Sequence, residues 1–463
     1  MDISKHEKFY FIGIKGVGMT MLAQFLHGLG KAVSGSDIAD TFMTDKVLES
    51  EGISFRLFNQ ELIPRDAVII HSSAYTPENN EEVAFVRENR KKFKKPVMEY
   101  AEAIGALFSS YKGIAVCGSH GKTTVSAWLG YVLRHSGVEA NVLVGARVPQ
   151  FKASAVRGES DIFVAEADEY QDKLRHFQPY GIVLNNVDYD HPDFFKDKKA
   201  YAAVFERFIS RLPKKGFLVA NAGDSESIKL LSGSKGEVVT YGLDKKIGKT
   251  PVSFVAHDIR RKEGKQSFAV NDFGRFSIRL FGDHNIENAL AVISACYALG
   301  LGPEKIRRAL GSFKGTARRA ELMGRYKGIP VYDDYGHHPT EVRATLGAFK
   351  EAFPGKRLVT VFHPHTFTRT KALFKGFLKS FDDADALGIL EIYGSAREKQ
   401  GGISSRDIVE GLKKAGRKQP VKYLKDFDQA LSWLEKALRP GDVLLLMGAG
   451  DIFRVGERLI KRK

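Results

Sequence analysis

Short apolar runs alternate with longer amphipathic stretches along most of this chain. Phe9–Ile14 reads as a strand, Gly16–Gly30 as a loop and helix, and Ala32–Gly35 as a second strand ending near Asp37. Ala67–His71 reads as a third strand, followed by Ser72-Ser73-Ala74. That rhythm predicts a parallel sheet with crossover helices. A polar break from Ser109 to Gly113 closes it, and the strand Ile114–Cys117 opens a second α/β unit, with further strands at Asp161–Ala165 and Gly181–Leu184. Phe254–Leu280 alternates apolar and polar residues between glycines, as antiparallel strands do, and Asn285–Leu299 carries one apolar helical face. A third unit begins near Gly315, with strands Pro330–Tyr332, Arg357–Phe362, Ala386–Leu390 and Val443–Met447. The expected architecture is α/β in three domains, 1–110, 111–314 and 315–463, because 463 residues exceed what one core organises. Neither an internal repeat nor a low-complexity tract interrupts the pattern.

Composition narrows the class. Hydrophobic residues at 43% and charged residues at 27% suit a soluble globular chain and exclude a disordered one. No basic stretch precedes an apolar core with a cleavage site, and no apolar run nears the ~18 residues of a membrane span. Two cysteines, Cys117 and Cys296, cannot form a disulfide framework, so a reducing, cytoplasmic setting is expected. The formal charge of +16 points to anionic partners. Its clusters, such as Arg90-Lys91-Lys92, Lys214-Lys215 and Lys461-Arg462-Lys463, are scattered and lack the interleaved aromatics of a nucleic-acid groove. They read as solvated surface, and neither nucleic acid nor membrane is expected as a partner. The oligomeric state is open.

The strongest chemical signal is Val116-Cys117-Gly118-Ser119-His120-Gly121-Lys122-Thr123-Thr124, set between a strand and a helix. Glycines let backbone N–H groups close around phosphates, Lys122 brings a charge to the terminal phosphates, and the Thr123 hydroxyl suits Mg²⁺. The following helix adds its positive end. Val116 stands where the usual loop has its first glycine. A second glycine-rich turn, Gly13-Ile14-Lys15-Gly16-Val17-Gly18, also joins strand to helix, with Asp37 at the spacing of a ribose-binding acid. A structural turn or a dinucleotide-dependent oxidoreductase would use the same pattern. Two phosphate loops in one chain favour one nucleotide as substrate carrier and another as energy source.

Other clusters are open to two readings each. Glu166-Ala167-Asp168-Glu169 at a strand end suits Mg²⁺ or a solvated acidic turn, and Asp190-His191 reads as a functional pair or as a turn with a surface histidine. His284, Asn285 and Asn288, at a helix start, suit a purine edge and ribose, or helix capping. Asp333-Asp334-Tyr335-Gly336-His337-His338-Pro339 and Phe362-His363-Pro364-His365-Thr366-Phe367-Thr368-Arg369-Thr370 each follow an apolar strand. Their histidines suggest zinc, but neither thiolates nor H-E-x-x-H spacing accompanies them.

Taken in order, these motifs closely resemble the Mur ligase family of peptidoglycan synthesis, over essentially the whole chain up to Met447-Gly448-Ala449-Gly450-Asp451-Ile452. The similarity is greatest to the members that add L-alanine to UDP-N-acetylmuramate. The family uses a shorter G-[ST]-x-G-K-T-T loop, which accommodates Val116. The resemblance implies a Rossmann-like N-terminal domain for the UDP-sugar, a central P-loop ATPase-type domain and a Rossmann-like C-terminal domain for the amino acid. It implies ATP and Mg²⁺ as cofactors, UDP-N-acetylmuramate and L-alanine as partners, and an acyl phosphate intermediate. By matching motifs it places Gly118, Ser119, His120, Gly121, Lys122, Thr123 and Thr124 on ATP phosphates, and Thr123, Glu166 and His191 on magnesium, with Lys122, Glu166 and His191 in the catalytic group. His284, Asn285, Asn288, Arg319 and Asp333 match the remaining nucleotide contacts. Gly16, Val17, Gly18, Asp37, Ser72 and Ser73 match the UDP-sugar site, and His337, His365 and Arg369 the amino-acid side.

Later ligases of the family carry a carbamylated lysine where this chain has Tyr201-Ala202-Ala203-Val204-Phe205-Glu206, without lysine. Glu391-Ile392-Tyr393-Gly394-Ser395-Ala396-Arg397-Glu398 resembles the alanine-adding members. Glu166 to Tyr170 and Leu184-Asn185-Asn186 also resemble the recycling ligase that attaches the tripeptide L-Ala-γ-D-Glu-diaminopimelate, which is the alternative reading. Thr366 stands where some alanine-adding members carry Arg. A non-catalytic, nucleic-acid-binding P-loop protein is the remote third reading.

Overall fold

The computed structural model describes residues 2–244, 246–247, 250–262, 265–394, 398 and 400–462. Ser395, Ala396 and Arg397 of the Glu391–Glu398 run therefore lie outside the described residues, as do Glu263 and Gly264 of the antiparallel stretch and Lys463 of the basic tail. The chain divides into two compact units. One comprises Met1–Val187, Ala202–Phe254 and Ala291–Ala309, and the other Asp188–Tyr201, Val255–Leu290 and Leu310–Lys463.

The first unit holds a five-stranded parallel sheet built from β1 (Lys8–Ile12), β2 (Ala32–Asp37), β3 (Ser54–Leu57), β4 (Val68–His71) and β5 (Val97–Glu99), in the order β3-β2-β1-β4-β5. That order reverses direction at β1, so the loop leaving β1 opens at a switch point where α/β sheets place ligands. β1 is shorter than its apolar run suggests. Gly13 takes φ +84°, and the chain leaves the sheet at Ile12 instead of continuing to Ile14. The same unit contains β6 (Lys112–Cys117), β7 (Asn141–Val148), β8 (Ala153–Val156), β9 (Ile162–Glu166), β10 (Gly181–Leu184), β11 (Phe217–Asn221) and β12 (Glu237–Gly242). They run β12-β11-β10-β6-β9-β7-β8, all parallel except the β7–β8 pair. Helix Lys122–His135 leaves β6 and is buried from Thr123 to Leu133, a central helix with almost no polar face. A two-residue pair, β13 (Lys246–Ile247) and β14 (Thr250–Pro251), follows.

In the second unit β15 (Phe254–Lys262, from Val255 onward), β16 (Lys265–Val270) and β17 (Gly274–Ile278) form the expected antiparallel meander. Beyond it, β18 (Glu321–Tyr326), β19 (Ile329–Asp334), β20 (Leu358–Phe362), β21 (Ala386–Leu390), β22 (Val421–Leu424) and β23 (Val443–Met447) order as β18-β19-β23-β20-β21-β22. Successive residues of β20 and β23 feed opposite cores: Val359, Val361, Leu444 and Leu446 one, Leu358, Phe362, Val443, Leu445 and Met447 the other. Strands covered on both faces read as nearly continuous apolar runs, broken here only by the buried Thr360, which is why these two are plain in the sequence. β3 and β5 have no fully buried residue, so nothing in their composition announces a strand. The fold class is α/β, as expected.

Candidate active site

In the first unit the loop after β6 is shaped by glycines and held by asparagines. Gly121 caps helix Lys122–His135 at φ +80°, a conformation that only glycine takes without strain. At Gly118 a Cβ would come 2.7 Å from the Asn186 carbonyl oxygen. The Asn186 side chain accepts from the His120 N–H at 2.8 Å, and Asn185 donates to the His120 carbonyl at 3.1 Å. The loop is thus clamped to the end of β10, with the Ser119 N–H also donating to the Asn186 carbonyl at 3.1 Å.

Two ion and hydrogen-bond pairs complete this part. Lys122 Nζ lies 2.8 Å from Glu169 Oε2 and donates to the Gly118 carbonyl at 2.6 Å. Burial pulls the lysine pKa down, but the carboxylates of Glu169, Asp168 and Glu166 together outweigh it and the net shift is upward, so the ammonium stays charged. Thr123 Oγ1 donates to Glu166 Oε1 at 2.9 Å, while Glu166 Oε2 accepts from the Gly145 N–H at 2.8 Å. Glu169 is fully buried.

The other glycine-rich loop is tied by Asp37. Its carboxylate accepts from the N–H groups of Lys15 at 2.7 Å and Ile38 at 2.8 Å, and from the Tyr75 hydroxyl at 3.2 Å. Lys15 is buried at 7% exposure, donates to the carbonyls of Ile38 and Asp40 and lies 3.3 Å from Asp45. Asp37 is therefore a support of its own loop, with only 3% of its surface exposed. Ser72 and Ser73 follow β4, where the Ser72 hydroxyl accepts from the Ala74 N–H. Gly16 precedes helix Val17–Gly28, whose first residue, Val17, is exposed.

In the second unit Asp190 organises two candidates at once. Its Oδ1 accepts from the His191 N–H at 2.7 Å and from Arg369 Nε at 2.9 Å, and its Oδ2 from Arg369 Nη2 at 3.3 Å. Burial favours the protonated acid, yet the Arg369 charge prevails and holds Asp190 well below the usual carboxylate range. Arg369 Nη1 stands 3.4 Å from His365 Nδ1. The rings of His337 and His365 meet edge to face at 5.8 Å, and His365 stacks on Tyr393 at 5.7 Å. Burial, followed by the charge of Arg369, depresses His337 to about 3 and His365 to about 4, so both are neutral at pH 7. Thr366 takes φ +66°, a strained value for a β-branched residue, at the start of helix Phe367–Ala372.

His284, Asn285 and Asn288 line up on the first turns of helix Asp283–Ala298. Asn288 donates to Asn285 at 3.1 Å, and Asn285 to the Phe281 carbonyl at 2.9 Å. Burial lowers His284 to about 4. Asp333, raised by burial to about 6, pairs with Arg318 at 2.9 Å; Arg319 instead lies over the Tyr335 ring at 5.2 Å. Arg318, at φ +60°, also donates to the Gly448 carbonyl, so it is the neighbour of Arg319 that ties Asp333 to the loop after β23.

Three family models match the chain: the Mur ligase catalytic domain over residues 8–112, the Mur ligase middle domain over 116–296, and the Mur ligase glutamate ligase domain over 318–450. A UDP-N-acetylmuramate–L-alanine ligase of Caldanaerobacter subterraneus subsp. tengcongensis is 38% identical, over 100% of this chain and 99% of the relative. The chain belongs to the Mur ligase family.

Among solved structures, this Mur ligase is similar to a UDP-N-acetylmuramate-alanine ligase from Thermotoga maritima, with a TM-score of 0.81, 25% identity and 99% of each chain covered. A murein peptide ligase from Psychrobacter arcticus shares the fold, with a TM-score of 0.72, 22% identity and 98% of each chain covered. Sequence reasoning passed over Glu169, Asn186, Asp190, Arg318 and Tyr393 as individual site residues. Glu169, Asn186, Asp190 and Tyr393 stood inside quoted motifs and Arg318 beside the named Arg319, and their only signal was a polar residue close after an apolar strand or beside a candidate ligand. No helix among the described residues is long and apolar enough to cross a membrane.

Proposed function

We propose that this Mur ligase joins L-alanine to UDP-N-acetylmuramate, driven by ATP. The observation that carries the reading is identity of 38% across the full length with a ligase of that name. Three functional domains, 1–110 for the UDP-sugar, 111–314 for ATP and 315–463 for the amino acid, go with it. An oxygen of the sugar's lactyl carboxylate attacks the γ-phosphorus, ADP departs, and an acyl phosphate forms. The alanine nitrogen then attacks the acyl carbon, phosphate leaves, and the nitrogen gives up a proton as the amide forms.

The loop from Gly118 to Thr124 is the candidate phosphate cradle, with its clamped amides and the charge of Lys122 placed against the transferred group. The Thr123 hydroxyl and the Glu166 carboxylate converge at 2.9 Å as hard oxygen donors, a set that fits Mg²⁺. Mg²⁺ held there would neutralise phosphate oxygens. His191, fixed through its N–H by Asp190, is the metal-ligand candidate of the second unit. His284, Asn285, Asn288, Arg319 and Asp333 remain the proposed nucleotide contacts, and Gly16 to Gly18, Ser72 and Ser73 the UDP-sugar contacts, with Asp37 shaping their loop. Arg369, with one edge on Asp190, has Nη1 beside His365 to offer to the alanine carboxylate, and neutral His337 and His365 border it.

Phosphate release from ATP, measured with UDP-N-acetylmuramate plus each amino acid in turn and separately with L-Ala-γ-D-Glu-diaminopimelate, tests the reading. Release dependent on L-alanine is expected. Faster release with the tripeptide would replace L-alanine by the recycling substrate.

A further inference from the structure

Tyr100 opens helix Tyr100–Phe108, whose start is fastened by a reciprocal capping box between Glu99 and Glu102. Its ring lies against the glycine-rich loop of the first sheet. A Cβ built on Gly18 would come 2.8 Å from Tyr100 Cζ and 2.9 Å from the hydroxyl oxygen. The residue at position 18 must therefore be small for the phenol to stand where it does. The same hydroxyl lies within electrostatic reach of the acids that end β9. Burial first, then the charges of Asp168 and Glu166, push its pKa up, so it remains protonated at any physiological pH.

Among the described residues nothing hydrogen-bonds this hydroxyl. The neighbouring carboxylates are taken elsewhere: Glu166 by Thr123 and Gly145, Asp168 by Lys173 at 2.7 Å and by the Tyr170 N–H. Tyr100 is half-buried and its hydroxyl is not enclosed, so the missing protein partner leaves this donor open to whatever enters beside the loop. Residue type matters here. A lysine or arginine beside these acids would be drawn into an ion pair, as Lys122 is by Glu169 and Lys173 by Asp168. A neutral phenol keeps its proton available for something that arrives with a ligand.

We infer that the Tyr100 hydroxyl donates a hydrogen bond to the lactyl carboxylate of the nucleotide sugar and holds it on the line between the Gly16–Gly18 loop and the Thr123–Glu166 pair. This rests on the proposed function, in which the sugar nucleotide sits on the first loop and its carboxylate has to reach a phosphate on the second. A residue whose ring lies against the first loop at Gly18, whose hydroxyl feels the Glu166 charge beside the second, and which carries a free donor, is placed within one compact unit to aim the attacking oxygen. Tyr100 would then determine specificity for an acidic sugar over the same nucleotide sugar without the lactyl ether.

The test uses the full chain and its Tyr100→Phe variant, which keeps the ring against Gly18 and removes only the donor. Calorimetry measures binding of UDP-N-acetylmuramate and of UDP-N-acetylglucosamine, which lacks the lactyl group. Initial rates are taken at saturating L-alanine. Loss of a hydrogen bond to a charged group predicts about ten- to hundredfold weaker binding of UDP-N-acetylmuramate. UDP-N-acetylglucosamine should stay within about twofold, and the KM for ATP should not move. An equal loss for both sugars would show a structural role and overturn the inference, as would no loss for either. If the unmodified protein shows no alanine-dependent phosphate release with UDP-N-acetylmuramate, the proposed function fails and takes this inference with it. That failure is recognised because it precedes any substitution.

Discussion

Lys122→Ala perturbs chemistry and stability together, and the structure allows them to be separated. The lysine side chain is 14% exposed and its partner Glu169 1%, so truncation leaves a buried carboxylate facing the loop without its cation. Breaking a buried pair from one side costs about 3–5 kcal/mol. The partial exposure of Lys122 places the expected loss near 3 kcal/mol, toward the low end of that range. On the catalytic side, removing a charge aimed at the transferred phosphoryl group is expected to lower kcat by about 10³-fold or more, roughly 4 kcal/mol. The double variant Lys122→Ala with Glu169→Gln removes the stranded charge and should recover about 2 kcal/mol of stability while recovering no turnover. Urea unfolding at pH 7 reads the first quantity, and phosphate release at saturating substrates the second. The sign with pH follows from the raised lysine pKa: the pair's stabilisation is complete at neutral pH and is lost only as pH rises through that elevated value in alkali. Near-normal turnover in Lys122→Ala would refute the loop's role. Recovery of turnover in the double variant would show that the single variant failed through folding.

Arg369→Lys keeps a charge but loses the fork that spans Asp190 and faces His365, so the KM for L-alanine should rise about tenfold, with those for ATP and the UDP-sugar steady in initial-rate assays. Asp190, whose pKa is held low by Arg369, contributes stability above the ordinary carboxylate range that disappears as pH falls through its folded value; Asp190→Asn should be less stable at pH 7 and lose less on acidification, measured by urea melts from pH 7 to 3. His337 and His365 are neutral when folded, at about 3 and 4, so unfolding takes up protons below about pH 6.5 and stability falls as pH drops toward those values. A His337→Gln variant should show a shallower acid loss, and an unchanged slope would contradict the burial argument. Tight calorimetric binding of NAD(P) would contradict the assignment of the Gly13–Gly18 loop to a UDP-sugar.

What the sequence determined by itself is whatever depends on near neighbours. The runs Leu358–Phe362 and Val443–Met447 declare strands because both faces are covered and nearly every residue is then apolar, the buried Thr360 excepted. Gly118 to Thr124 declares a tight strand-to-helix turn because its conformation needs glycines at set positions, Gly118 and Gly121, within a few residues. β3 and β5 stayed silent because their residues are only half-covered or exposed, and the early departure of β1 at Gly13 depended on a backbone angle that spacing cannot supply. Tertiary structure alone decided which polar groups pair. Arg369 finds Asp190 from 179 residues away, Lys122 finds Glu169 across 47, and Asp333 takes Arg318 in preference to the adjacent Arg319. It also decided that Asp37 braces its own loop and that His337 and His365 are neutral. The physical reason is range. Backbone periodicity and turn conformation are written in consecutive residues, whereas ion pairing and desolvation depend on distances and burial that exist only once remote segments have closed on one another.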